Sequence, residues 1–171
     1  MDVYQAIKTR KSVRAFLDRE VPEEVLNRLL EAARLAPSAK NLQEWRFILV
    51  RDPKSRKMLA KAAKGQTFVG EAPVVLVCCA ESDGSVMTCG QLCYPIDVAI
   101  AIDHITLCAV AENLGTCWIG AFHEDEVKKL LHIPDRIRVV SLLPLGYPRD
   151  GALQTKNRLP LGAIVRREVW R

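Results

Sequence analysis

Residues 95–114 read PIDVAIAIDHITLCAVAENL and form the most distinctive segment of the sequence. It is long, rich in alanine and isoleucine, and apolar almost all the way round, a pattern that predicts a central buried helix. Four titratable residues interrupt it: Asp97, Asp103, His104 and Glu112. Because the centre of a bilayer tolerates charge poorly, these residues argue against a membrane span.

Further helices and strands are predicted on both sides of this helix from periodicity and boundary residues. Helices are expected over 2–9, over 22–36, from Asp52-Pro53 to a stop at Gly65, and over 123–132. Strands are expected over 45–50, 73–80, 117–121 and 136–145, with an extended segment at 10–16 and an irregular stretch over the last 25 residues. Helices and strands alternate without strict β-α-β regularity. The pattern therefore predicts an α+β fold, a mixed β-sheet flanked by helices, in a single domain over 1–171.

Composition narrows the class of protein. The chain has 171 residues, 49% of them hydrophobic, which suffices for a sizeable core. A net charge of +5 with 6% aromatic residues does not favour a nucleic-acid-binding protein. No signal peptide precedes the six cysteines, so free thiols and a cytoplasmic location are expected. Cys89 and Cys93 are spaced C-x3-C rather than C-x2-C, so no metal site is expected.

A basic cluster near the N-terminus is the first candidate site. In an extended segment, side chains two residues apart point the same way, so Arg10, Ser12 and Arg14 would project together, with Lys11 and Val13 on the opposite side. Two guanidinium groups and a hydroxyl on one face can hold a phosphate and a carbonyl-rich ring. Taken alone, the spacing favours a solvated basic loop over a ligand site.

The C-terminal region repeats this arrangement. Lys156 and Arg158 lie two residues apart in KNRLP, on one side if the segment is extended. A charged solvated tail is the plain alternative. With one pair of basic residues near each end of a small protein, both pairs binding the same anion becomes a reasonable hypothesis.

Two mid-chain segments are candidates for the rest of a site. PSAKNLQEW, residues 37–45, carries polar side chains on a loop before a strand, which suits either a heterocycle edge or ordinary turn chemistry. In GTCWIGAF, residues 115–122, the small pair Gly120-Ala121 lets backbone approach a flat ligand closely. A strand with a close-packed neighbour explains the second segment equally well.

Together these segments resemble the nitroreductase family of flavoproteins. The match runs in the family's order through RKSVRAF, PSAKNLQEW, WRFILV, APVVLV, the DVAIAI helix, LGTCWIGAF and KNRLP, and it covers most of the chain. The resemblance implies the nitroreductase-like fold, an FMN cofactor and a homodimer with flavin sites at the interface.

The resemblance also assigns site residues. Arg10 and Ser12, helped by Lys156 and Arg158, would hold the FMN phosphate, and Arg14 would lie toward the pyrimidine end of the ring. The remaining assigned positions are Lys11 in the same segment, Pro37, Ser38, Ala39 and Asn41 in a loop that usually comes from the other subunit, Gln66 beside the ring, and Ile119, Gly120 and Ala121 near N5. Glu44 departs from the family, which often has proline there.

The implied reaction is a ping-pong hydride transfer from NADH or NADPH to a nitroaromatic, a quinone or a similar acceptor. The cofactor carries the reactive atom, so no obligatory catalytic side chain is expected. One alternative is a flavin-binding or flavin-storage module without turnover. Another is a different flavin reaction on the same scaffold, such as dehalogenation or flavin fragmentation.

Overall fold

The structure is a computed structural model that describes residues 1–149 and 157–170. Seven α-helices, one 3-10 helix (Ala39–Asn41) and four strands are found there. They are α1 (Val3–Thr9), α2 (Glu23–Arg34), β1 (Trp45–Val50), α3 (Pro53–Ala62), α4 (Thr67–Glu71), β2 (Val74–Ala80), α5 (Cys93–Ala111), β3 (Gly115–Thr116), α6 (Glu124–Leu131), β4 (Arg138–Gly146) and α7 (Leu161–Ile164).

The four strands form one sheet in the order β1-β2-β4-β3, and each neighbouring pair is antiparallel. A parallel component comes from the 10–16 segment, where Ser12 makes a bridge to Thr116 at the sheet edge. Helices cover both faces of the sheet. The predicted α+β class with a helix-flanked mixed sheet is confirmed.

Apolar side chains divide the core into two layers according to the two faces of β2. Leu76 and Cys78 point into a cluster with α2 and α5, whereas Val75 and Val77 point into a second cluster with α3, α4 and α6. Every residue of β2 is buried. This is the environment that its unbroken apolar sequence predicts for a strand covered on both faces.

The predicted central helix is α5. It packs against α2 and the sheet, and nine of its residues are buried, among them Asp97 and Ile105. By length and composition alone α5 could cross a membrane, but its buried side belongs to the protein core. The opposite side is open, and Ile96 is 41% exposed there. The predicted long, central buried helix is confirmed.

Other element boundaries differ from the sequence prediction in specific places. The strand expected at 117–121 lies instead at Gly115–Thr116, followed by a single bridge between Ile119 and Leu142. The short helix α4 follows Gln66, where only a turn was expected, and α7 lies within the C-terminal stretch expected to be irregular. Helices of four or five residues are too short to produce a clear hydrophobic period.

Candidate cofactor site

The basic N-terminal segment is fixed to the edge of the sheet. The Val13 amide donates to the Thr116 carbonyl oxygen at 2.9 Å, next to the Ser12 bridge. The Val13 side chain is buried, while Ser12 and Arg14 are exposed. A Cβ atom at Gly115 would lie 2.4 Å from Val13 Cγ2, so glycine is what lets the two backbones approach.

Three side chains of this segment influence the pKa of one buried thiol. Burial raises the pKa of Cys117, and the Arg14 guanidinium, a hydrogen bond with Ser12 and the Arg10 guanidinium oppose that rise in this order. Arg10, Ser12 and Arg14 therefore all act on the same thiol, and their joint contact with a ligand stays a prediction. Two cations and a hydroxyl beside one another provide the donors that an anion requires.

Residues 66–68 contact both Arg14 and the segment after β3. The Arg14 guanidinium lies over the Phe68 ring, 6.0 Å from its centroid. The Gln66 side-chain amide donates to the carbonyl oxygens of Ala63 at 3.0 Å and Ala121 at 3.4 Å. Gln66 thus connects α3 and α4 to the segment after β3.

In residues 119–121, the first residue is hydrogen-bonded to β4 and the next two are exposed. The Ile119 amide donates to the Leu142 carbonyl at 2.9 Å, and the Ile119 carbonyl accepts from the Leu142 amide at 3.1 Å. Ile119 therefore has its backbone committed to the sheet. Gly120 and Ala121 are exposed, and a Cβ at Gly120 would meet nothing nearer than the Trp118 indole nitrogen, at 3.8 Å.

We refer to these neighbouring groups as the cradle: the side chains of Arg10, Ser12, Arg14 and Gln66, with the backbone of Gly120 and Ala121. Lys11 is half-buried between two cradle residues. Arg158 is exposed, and its guanidinium donates to the Asn157 carbonyl at 3.0 Å. Lys156 lies outside the described residues. The expected convergence of both chain ends on one phosphate stays a prediction.

The loop of residues 37–44 lies beside the N-terminal part of α5. The Ala39 amide donates to both carboxylate oxygens of Asp97, at 3.2 and 3.1 Å, and the Gln43 amide donates to Ser38 Oγ at 3.0 Å. Pro37 and Asn41 are exposed, so they face outward from this loop. The loop therefore offers Pro37 and Asn41 to a partner at the surface.

Buried acidic groups lie under this loop. Glu44 is 5% exposed, and within the described part of the chain its Oε2 has no hydrogen-bond partner. Burial raises the pKa of the Cys93 thiol, and the carboxylates of Asp97 and Glu44 raise it further. The two carboxylates and the thiol are thus near neighbours.

Sequence reasoning missed Asp97, Phe68 and Cys117 as parts of this region. A signal was present for Asp97, since an acid in a helix that is otherwise apolar needs a local partner. Cys117 and Phe68 looked like ordinary core residues. All six cysteines are free thiols, and among the described residues no group of three His, Cys, Asp or Glu side chains is placed to hold a metal ion.

Comparisons with known proteins agree with this architecture. The model of the Nitroreductase family matches residues 7–92 and 65–147. The chain is 32% identical to a Thermus thermophilus NADH dehydrogenase, covering 100% of this chain and 97% of that protein. It is 29% identical to the Bacillus subtilis FMN reductase (NAD(P)H), covering 99% and 74%.

A crystal structure of a nitroreductase family protein from Clostridium difficile superposes with a TM-score of 0.90 at 29% identity, covering 99% of this chain and 100% of that one. The family match spans both the cradle and the loop of residues 37–44. On sequence and on fold, the chain belongs to the nitroreductase family.

Proposed function

We propose that this chain is an FMN-dependent oxidoreductase that uses NAD(P)H to reduce a nitroaromatic, a quinone or a similar acceptor. The family to which it belongs is FMN-dependent, and its relatives include an FMN reductase and an NADH dehydrogenase. The observation that carries the proposal is the bridge from Ser12 to Thr116, which joins the basic 10–16 segment to the stretch of chain that ends in the open backbone at Gly120.

The residues present fit FMN. A phosphate needs cations and hydroxyl donors, which Arg10 and Ser12 supply, with Lys11, Lys156 and Arg158 as further candidates. A flat ring needs a surface without protruding side chains, and the open space at Gly120 meets that need. Because Ile119 has both backbone groups paired in the sheet, Gly120 and Ala121 are the better candidates for contacts near N5.

The chemistry that bound FMN supplies is hydride transfer from NAD(P)H to the acceptor in a ping-pong cycle. The chain contributes binding, orientation and charge. Arg14 would place a fixed positive charge at the pyrimidine end of the ring, where it would stabilise negative charge without reorganisation. Gln66, through its bond to the Ala121 carbonyl, would hold the segment that faces the ring.

A homodimer is part of the proposal. Exposed apolar side chains of α1, including Val3 and Ile7, and Leu35 at the end of α2 lie on the side where α5 is open. These elements border an apolar groove of about 410 Å³ that also contains His104 and Leu107. A two-fold interface there would cover these apolar residues and give two equivalent sites. Pro37, Ser38, Ala39 and Asn41 of one subunit would then complete the cradle of the other.

We also propose that residues 1–171 form one domain and that the protein is soluble and cytoplasmic. The extensive packing of α5 in the core and the free state of the six thiols support this location.

Steady-state oxidation of NADH and NADPH by the FMN-loaded protein tests the function. Turnover that depends on a nitroaromatic or quinone is the expected result. A protein that keeps FMN but oxidises neither nucleotide with any acceptor would instead be a storage module. Product analysis with halogenated aromatics and with reduced FMN alone would identify dehalogenation or flavin fragmentation.

A further inference from the structure

The loop of residues 37–44 has an unusual backbone for a segment without glycine. Lys40, Asn41 and Gln43 have positive φ angles of 50°, 57° and 52°. Side chains other than glycine adopt this region rarely, at a cost of order 1–3 kcal/mol for a strained residue and least for asparagine. Such a conformation persists only where surrounding contacts determine it.

Two side chains supply those contacts. Ser38 Oγ accepts the Gln43 amide at 3.0 Å, which closes the loop on itself. Asp97 ties the loop to the body of the protein, because both of its carboxylate oxygens accept the Ala39 amide. Asp97 is 3% exposed and lies near the start of the rigid helix α5. A hydrogen bond from an amide to a buried carboxylate is among the stronger bonds available to a backbone.

We propose that Asp97 is a positioning residue for the flavin site of the partner subunit: it fixes the loop so that the loop residues are preorganised to contact FMN across the interface. The inference rests on the proposed function, which supplies the FMN and the dimer. It adds a residue that touches no ligand itself and acts through the Ala39 amide. Preorganisation of this kind raises affinity by removing the ordering cost of binding.

Asp97→Ala and Asp97→Asn test the proposal. The alanine variant leaves the half-buried Ala39 amide without its acceptor, and we expect FMN to bind about tenfold more weakly. Asparagine keeps one acceptor oxygen and should give an intermediate affinity. Because Asn retains the shape of Asp, it also serves as the test if the alanine variant does not fold.

Asp52→Ala is the matched control. The Asp52 carboxylate also accepts a backbone amide, that of Ser55 at 2.7 Å, but at the start of α3. This variant removes the same kind of bond elsewhere and should bind FMN as the wild type does. Amide hydrogen exchange should accelerate at residues 39–43 in the Asp97 variants while β2 and β4 keep their protection.

A heterodimer distinguishes whether the loop held by Asp97 serves the FMN site of the partner subunit or that of its own subunit. One subunit carries Asp97→Ala and the other carries Arg10→Ala, and the two are isolated together with two different affinity tags. If the loop serves the partner, one site has both lesions and the other has none, so the heterodimer binds one FMN with wild-type affinity. If the loop serves its own subunit, each site has one lesion and no wild-type site remains.

The outcomes are distinct. A wild type that takes up no FMN defeats the proposed function itself. A wild type that binds FMN while both Asp97 variants bind it equally well overturns the positioning role of Asp97. A heterodimer without a wild-type site overturns its action across the interface, even if both Asp97 homodimers bind weakly.

Discussion

Gly120 is exposed beside the cradle, and the nearest atom to a Cβ built on it is the Trp118 indole nitrogen, 3.8 Å away. Its backbone is not in the left-handed region, so alanine is tolerated there sterically. In the proposed complex the flavin occupies this space. A methyl group at position 120 would therefore clash with the flavin but not with the protein itself.

Gly120→Ala should therefore fold normally and lose affinity for FMN, by about tenfold if the added methyl group displaces the ring by a fraction of an ångström. Fluorescence titration of FMN and thermal melting measure the two quantities. Gly162→Ala, which also adds a methyl group in open space, is the control. Equal FMN affinity in both variants would show that nothing approaches Gly120.

Substitution of Arg14 tests whether its positive charge acts on the flavin ring. Arg14→Ala should lower FMN affinity or slow reduction of the flavin by NAD(P)H, because a fixed cation is removed from the ring. Arg19→Ala is the matched control, since the Arg19 guanidinium lies 3.9 Å from the centroid of the Tyr147 ring, where it has no proposed role toward FMN. Stopped-flow reduction and FMN titration give the readouts. If Arg14→Ala left both the rate of flavin reduction and the FMN affinity unchanged, Arg14 would have no role toward the flavin.

At the scale of elements, the junction between the 10–16 segment and β3 places the cradle. A Cβ at Gly115 would lie 2.4 Å from Val13 Cγ2 and 2.7 Å from Val13 Cβ, which requires the two segments to separate. Gly115→Ala should lower the free energy of unfolding by about 1–3 kcal/mol and weaken FMN binding. Chemical denaturation measures the first effect. Adding Val13→Ala should restore part of the loss, and a double variant no better than the single one would contradict the contact.

The buried Cys79 thiol in β2 makes the free energy of unfolding depend on pH. Burial raises the pKa of Cys79 to about 11, with a smaller contribution from the Glu124 carboxylate. In the unfolded chain the thiol titrates near 9, so its stabilising effect is complete below pH 9 and is lost as the pH rises toward 11. The loss amounts to at most about 2.7 kcal/mol, from two pKa units at 1.36 kcal/mol each.

Unfolding by urea between pH 8 and 10.5 measures this effect. Stability should fall with pH more steeply in the wild type than in Cys79→Ala. The exposed Cys89 provides the control, since Cys89→Ala should keep the wild-type slope. Parallel curves for the wild type and Cys79→Ala would contradict the raised pKa.

Periodicity predicted those elements whose residues face the protein's own core. β1 was placed at its observed bounds, and the apolar run of β2 indicated its burial on both faces. The segment at 117–121 was misplaced because its residues bond to β4 without forming a continuous ladder: the Cys117 amide donates to the Pro144 carbonyl, and Ile119 makes a single bridge to Leu142. The alternation of Arg10, Ser12 and Arg14 was predictable, whereas the bond from Ala39 to Asp97 joins residues 58 positions apart and leaves no local pattern.

At the scale of the whole molecule, the open side of α5 and its apolar neighbours predict association. The wild type should sediment as a dimer, at twice the 19.1 kDa of one chain. Val3→Glu places a charge on this surface at the first residue of α1, where the helix dipole tolerates an acid. It should shift the protein toward monomer and weaken FMN binding, because each site needs the loop of the partner.

Met58→Glu is the matched control, since Met58 is also exposed, at 42%, but lies on α3 in the opposite layer. It should leave the dimer intact. Sedimentation velocity with and without FMN measures both variants. A monomeric wild type that retains FMN would contradict the shared site.

Titration of the purified apoprotein with FMN, followed by absorption and flavin fluorescence, tests whether the cradle holds FMN. We predict saturable uptake of one FMN per chain and a flavin spectrum that stays with the protein through gel filtration. Protein that remains colourless after gel filtration from a large excess of FMN would contradict it.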